Sequence, residues 1–299
     1  MSEDGGPATK RKRKKGAPDW AKGNALLAPT TLWLLILLIV PLAVVVGYSV
    51  GYRSRVPPVR MDWGNPQWGN FSDALNPDFL PIFIRSIVYA TATTIACVLL
   101  GFPLAYWIAR FGGKFRNIYL VLVIIPFLTS YLIRMYAWQF ILQRNGLLNA
   151  FLGTIGLGDD HAFLNTHFAV ILGLTYGFIP FMVLPLYASI ERMNPALIEA
   201  SYDLGHGKAS TMFRVTMPTV MPGLIAGILL VFIPALGDFV TPELLGGTKT
   251  NMFGNVVQAQ FVGGGSNWPL GSAMAVLLMG FILIGVIVYL RRVGDEAPI

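Results

Sequence analysis

The sequence predicts an all-α integral membrane protein with six transmembrane helices and both termini in the cytoplasm. Three observations predict it. Hydrophobic residues fill 55% of the 299 positions and charged residues only 12%, against about 25% charged in an ordinary soluble domain. Six apolar stretches approach the roughly 20 residues that a helix needs to cross a bilayer core. Lysine and arginine are also distributed unevenly between the connections.

The chain opens with a tail, residues 1–25, that holds Lys10 to Lys15 as KRKRKK. This reads as a disordered basic segment that fixes orientation, with attraction to anionic membrane lipid as a second role. The first span, 26–50, contains TLWLLILLIVPLAVVV without a charge. It exceeds a signal-peptide core and no A-x-A site follows, so it is expected to stay as an anchor. RMDWGNPQWGN (60–70) is a turn-rich outer loop whose tryptophans suit the membrane interface. The second span, 82–109, leads through a short basic loop to the third, 118–142. LGTIGLGDDHAF (152–163) is an outer connection before the fourth span, 168–190. A polar segment, 191–218, precedes the fifth span, 219–242, and GGGSNWPLG (263–271) leads to the sixth, 271–290, with a short tail over 293–299. No second domain and no repeat of fixed period is visible.

The orientation follows from counting. The two tails and the 110–117 and 191–218 loops carry 15 Lys and Arg, and the opposite connections carry five. The positive-inside rule places both ends and the polar segment in the cytoplasm. The net charge of +7 thus reflects topology, and no nucleic-acid partner is expected. Cys97 is the only cysteine, so no disulfide framework exists, and His161, His167 and His206 are scattered. Neither a metal site nor a catalytic constellation can be assembled, and no cofactor is expected.

ALIEASYDLGHGKASTMFRVTMP (196–218) is out of place between two greasy spans. Asn194 and Pro195 form a helix start, Glu199 suits the positive end of a helix dipole, and Gly205 offers a left-handed stop. A helix over 195–204 is too short to stand alone in water, so Leu197, Ile198, Ser201 and Tyr202 are expected to form its docking side. A second helix runs from Lys208 to Met217, and Pro218 is expected to end it. From spacing alone this is either a helical hairpin gripped by a partner or an amphipathic loop resting on lipid. LGHGKAS is not a phosphate loop: Tyr202 stands where the first glycine of GxxxxGK[ST] belongs, Ala209 replaces Ser/Thr, and no strand precedes it.

Glu199-Ala200-Ser201, then Gly205, then Val215-Thr216-Met217-Pro218 resembles the EAA loop of ABC importer permeases of the type I (MetI-like) fold, with both spacings kept. Ser201 stands for Ala, Val215 for Ile and Met217 for Leu, all close in size. SDALNPDFLPIFIRSIVYATATTIACVLLGFPLAYWIAR (72–110), PFLTSYLIRMYAWQFILQRNGLLN (126–149) and FIPALGDFVTPELLGG (232–247) are similar to the spermidine/putrescine permease branch. The resemblance implies a non-catalytic permease of a bacterial cell membrane. Residues 195–217 would dock on two separate ATP-binding subunits, beside a second permease chain, related or identical, and an extracytoplasmic solute-binding protein.

Within the spans, ionisable residues are functional candidates because burying them is costly. Arg134 either snorkels to the outer surface or serves the pathway. Pro234 is expected to break the fifth span, leaving Asp238 and Glu243 to line the outer pathway for a cationic cargo, or to pair with Arg134 or Arg85 and hold a gate's shape. Tyr131, Tyr136, Trp138 and Tyr176 offer cation–π faces or interfacial anchors. Gly173-x-x-x-Gly177 and Gly223-x-x-x-Gly227 permit close helix approach. A stand-alone secondary transporter or channel is the competing reading. It calls for carboxylates or unwound helices in both halves, whereas the acids here crowd the fifth span. A permease for iron, thiamine or another small solute is the nearer alternative.

Overall fold

The computed structural model describes residues 19–53, 65–158, 160–262 and 266–294. The basic run Lys10 to Lys15, residues 60–64 of the 60–70 turn, the GGG of the 263–271 turn and residues 295–299 lie outside the described residues. Every regular element described is a helix. Four are long and apolar enough to cross a membrane: α1 (Asp19–Ser49), α3 (Leu80–Phe111, continuous with α2, Gly69–Ala74, in one apolar stretch), α7 (His167–Arg192) and α14 (Trp268–Gly294). Two further candidates are bent pairs, which brings the total to six if each pair is one span.

The first bent pair departs from the sequence expectation. The stretch 118–142 is not one helix but α4 (Arg116–Leu128) and α5 (Tyr131–Leu142), and the chain turns by 89° between them. Thr129 and Ser130 sit extended at the break, and hydroxyl residues of this kind compete with helical backbone bonding. Thr129 donates to the Pro126 carbonyl at 2.7 Å, occupying a group that the helix would otherwise use. α6 (Leu147–Thr154) follows.

The second bend, 71°, lies where the polar segment meets α11 (Met221–Gly237). Pro218 does not end the preceding helix there. After α8 (Ala196–Asp203) and α9 (Lys208–Thr211) the chain passes through a π-helical turn, Met212–Thr216, and α10 (Met217–Thr219). A proline lacks the N–H that would bond four residues back and crowds that carbonyl. Pro218 therefore widens the turn behind it, and Pro222 stands in the first turn of α11, just past Val220, where the axis changes direction. Pro234 gives the opposite outcome: α11 runs through it and stops three residues later at Gly237, with Asp238 as the cap.

The core lies between α3, α7 and α11, which pack pairwise against one another. Cys97, Ala105, Ile108, Leu174, Met182, Leu186 and Val231 are fully buried there. Glycine sets the spacing. A Cβ on Gly223 would meet the Pro185 carbonyl at 2.6 Å, and one on Gly227 would meet Met182 Sδ at 2.7 Å. On α7, Gly177 receives the Tyr131 ring and Gly173 receives Thr241 and Leu245. Both glycine pairs thus seat neighbouring elements on α7. A smaller cluster joins α2, α3, α14 and α13 (Phe253–Phe261). α1 packs on α14, and its residues from Leu27 to Val44 face outward.

Gly223→Ala and Gly280→Ala separate packing from propensity, because nothing lies within 4 Å of a Cβ at Gly280. The first is expected to destabilise the detergent-solubilised protein by about 1–3 kcal/mol through overpacking, and the second to leave it unchanged or slightly firmer. Thermal unfolding of the two variants side by side checks this.

Candidate functional site

The polar segment is built as a stiff hairpin. Asn194 Oδ1 accepts from the Ala196 amide at 3.1 Å and starts α8. At its other end the Gly205 amide donates to the Tyr202 carbonyl at 2.9 Å and the His206 amide to the Ser201 carbonyl at 3.1 Å. That bond pair is a Schellman stop, which requires a left-handed residue, and Gly205 supplies it at φ +81°. Ser201 is buried and its hydroxyl pairs with that of Thr211 at 2.9 Å, tying α8 to α9. Below, Arg116 forms a 2.8 Å ion pair with Glu191, and Arg110 donates to the Met193 carbonyl at 3.4 Å.

The outward face differs from the expected one. Ile198 packs on the core and Ser201 faces Thr211, so neither is available to a partner. Leu197, Tyr202, Leu204 and Phe213 are the exposed apolar side chains, Leu204 at 78% and Phe213 at 66%. Glu199, Ala200 and Pro218 are also exposed, while Val215 and Met217 are half-buried. The sequence reading overlooked that Ser201 has an inward partner ten residues on. Leu204 and Phe213 become part of the outward face only in the folded pair, which the pattern of one helix does not display.

The second constellation lies where the two broken spans meet. Asp238 Oδ1 accepts from the amides of Val240 at 2.8 Å and Thr241 at 3.4 Å. It thereby caps α12 (Val240–Leu245), as an anion at a helix N-terminus should. Its Oδ2 accepts from the Tyr131 hydroxyl at 2.6 Å and the Thr241 hydroxyl at 2.5 Å. Arg134 does the converse for α4. It is buried, and its Nη2 donates to the Phe127 carbonyl at 3.2 Å and the Thr129 carbonyl at 3.0 Å. These oxygens belong to the last turn and the cap of a helix, where a cation is favoured. The guanidinium lies 5.7 to 5.9 Å from the ring centroids of Phe127, Tyr131 and Tyr176. Trp138 meets Tyr176 edge-on at 5.3 Å.

Arg134 therefore does not snorkel. Asp238 is held by hydroxyls and amides rather than by Arg134 or Arg85, and Arg85 donates instead to the Lys249 and Asn251 carbonyls. Glu243 lies apart from this junction, exposed, and accepts from Asn255 at 3.2 Å. Tyr136 is exposed away from it at 47%. Of the residues singled out for the pathway, Arg134, Trp138, Tyr176 and Asp238 converge through Tyr131. Thr241 and Asn255 were missed. Asp238 followed three residues on by Thr241 has the spacing of a helix start, and that signal was legible.

Comparison with known proteins places these features in a family. Residues 98–292 match the family model for the binding-protein-dependent transport system inner membrane component. The chain is 37% identical over 265 residues to the spermidine/putrescine transport system permease protein PotB of Salmonella typhimurium, covering 87% of this chain and 91% of that one. It is 38% identical over 256 residues to PotB of Escherichia coli K12, covering 84% and 92%. A bacterial alginate ABC transporter, solved in complex with its alginate-pentasaccharide-bound periplasmic protein, superposes with a TM-score of 0.65 over 94% of this chain and 97% of that one. Identity there is 21%, so that likeness concerns the fold.

Tyr131→Phe removes the hydroxyl that joins α5 to Asp238 and leaves the ring under Arg134 in place. The expected result is a loss of about 1–2 kcal/mol of stability, read as a lower Tm of the purified protein, with Thr241→Val acting in the same direction.

Proposed function

The chain belongs to the family of binding-protein-dependent transport system inner membrane components, and from that membership we propose that it is the permease subunit of an ATP-binding-cassette importer whose cargo is a polyamine. It is a multi-pass membrane protein of the type I importer fold. The observation that carries the proposal is the hairpin 195–217, a rigid helical pair that turns apolar side chains outward at the base of the membrane core. A surface of this kind suits a groove on a partner. The chain has no phosphate loop of its own, so ATP hydrolysis is assigned to two separate subunits that grip the hairpin. The likeness to spermidine/putrescine permeases supports the cargo, a second permease chain and an extracytoplasmic binding protein. The Lys and Arg asymmetry supports cytoplasmic termini and a cytoplasmic hairpin in a bacterial inner membrane.

The geometry supplies a route for force. α8 and α9 are locked together, and the π-helical turn and Val220 join them to α11. α11 has 17 residues, a strut of about 26 Å at 1.5 Å per residue. Its far end is Asp238, bonded to α12 and to Tyr131 of the other broken span. Displacing the hairpin therefore pulls directly on the junction where both broken spans meet. Nucleotide biases this motion because it binds the closed ATPase pair better than the open one.

Proteoliposomes that hold the permease pair and the ATPase subunits, supplied with the binding protein, are expected to take up labelled putrescine or spermidine only with ATP. Uptake by this chain alone down an ion gradient would overturn the assignment. Gly205→Val, strained by about 1–2 kcal/mol at a left-handed position, is expected to insert normally and to lose most ATP-driven uptake. Full uptake in that variant would remove the hairpin from the mechanism.

A further inference from the structure

A groove of about 600 Å³ runs between α4, α7 and α11 and ends at the start of α12. Phe127, Tyr131, Phe178, Phe181 and Phe239 line it, and Asp238 is the one charged side chain in its wall. Aromatic faces attract cations through the negative face of the ring, and the same faces accept methylene groups as apolar surface. Asp238 is buried and contacted only by neutral donors, namely two hydroxyls and two backbone amides. Among the described residues no ion pair reaches it.

Its hydroxyl partners are also short of protons. Tyr131 and Thr241 lie 2.6 Å from each other, and each also bonds Asp238 Oδ2. Three oxygen–oxygen contacts share two hydroxyl protons, since each hydroxyl donates once. One contact therefore lacks a donor. A donor arriving at Asp238 would release a hydroxyl to fill it and would bring the missing positive charge. The guanidinium of Arg134 does not do this, because it is turned to the carbonyls of the α4 terminus and does not line the groove.

We propose that this groove is a subsite for a slender alkyl polyamine, with one terminal ammonium on Asp238 and the adjoining methylene chain against Phe178 and Phe181. The subsite rests on the polyamine reading above and adds to it a place and an orientation. A carboxylate among aromatic rings disfavours an anion such as an acidic sugar, so the groove selects against the cargo of the alginate transporter that shares this fold.

The test uses the complete reconstituted transporter and labelled putrescine. Asp238→Asn keeps the cap on α12, because Asn caps as well as Asp, and removes the charge. Its KM is expected to rise about tenfold or more, the scale of a hydrogen bond to a charged group. Phe181→Leu keeps apolar volume and is expected to raise KM about threefold to tenfold. A diazirine-bearing 1,4-diaminobutane is expected to cross-link to peptides that contain Phe178, Phe181 or Asp238. A KM within about twofold of the parent in Asp238→Asn overturns the subsite, as does cross-linking confined to other segments. Should Asp238→Asn not assemble, Phe181→Leu carries the KM test under the same rule. If the unsubstituted transporter moves no polyamine, the cargo reading fails instead, a separate and visible result.

Discussion

A helix that stops at membrane depth leaves carbonyls or amides without partners, and hydrocarbon offers none. This chain stops two helices near the same place, at Thr129 and at Asp238, and the rest of its organisation depends on how those ends are satisfied. Arg134 closes the carbonyl end of α4 and Asp238 closes the amide end of α12. Each charge sits at the helix terminus of opposite sign, so the helix dipoles offset part of the cost of burial. Tyr131 belongs to both arrangements, with its ring against Arg134 and its hydroxyl on Asp238.

The buried charges have a structural role at the two breaks, and the proposed subsite adds a second role for Asp238. A fully apolar junction would leave the breaks unsatisfied, and the two spans would straighten or aggregate. A junction that paired Asp238 directly with Arg134 would neutralise both charges and leave nothing for a cationic cargo. The arrangement found keeps the two apart, each committed to backbone, and so preserves a net negative charge beside an aromatic groove.

The same economy appears in the glycine-seated core. α7 is gripped on one side by α11 through Gly223 and Gly227, and receives Tyr131, Thr241 and Leu245 on the other through Gly173 and Gly177. Close approach of backbones gives van der Waals contact where no hydrophobic effect acts between lipid-immersed helices. The polar hairpin and the broken-helix junction lie at the two ends of α11, which joins them.

The sequence by itself determined the class, the apolar stretches, the hairpin with its left-handed Gly205, and the helix-approach role of both glycine pairs. These are local properties: hydropathy over a window, a capping residue, a missing Cβ. It also marked Arg134, Asp238 and Tyr131 as unusual without saying what each bonds. Tertiary structure alone decided that Pro234 is passed while Thr129 and Ser130 break the chain, that Ser201 turns inward to Thr211, and that Arg134 and Asp238 cap different helices instead of each other. Most of the bonds involved are short in sequence, from two to ten residues, but local spacing allows several such partners and the packing of Tyr131 against Asp238, 107 residues on, selects among them.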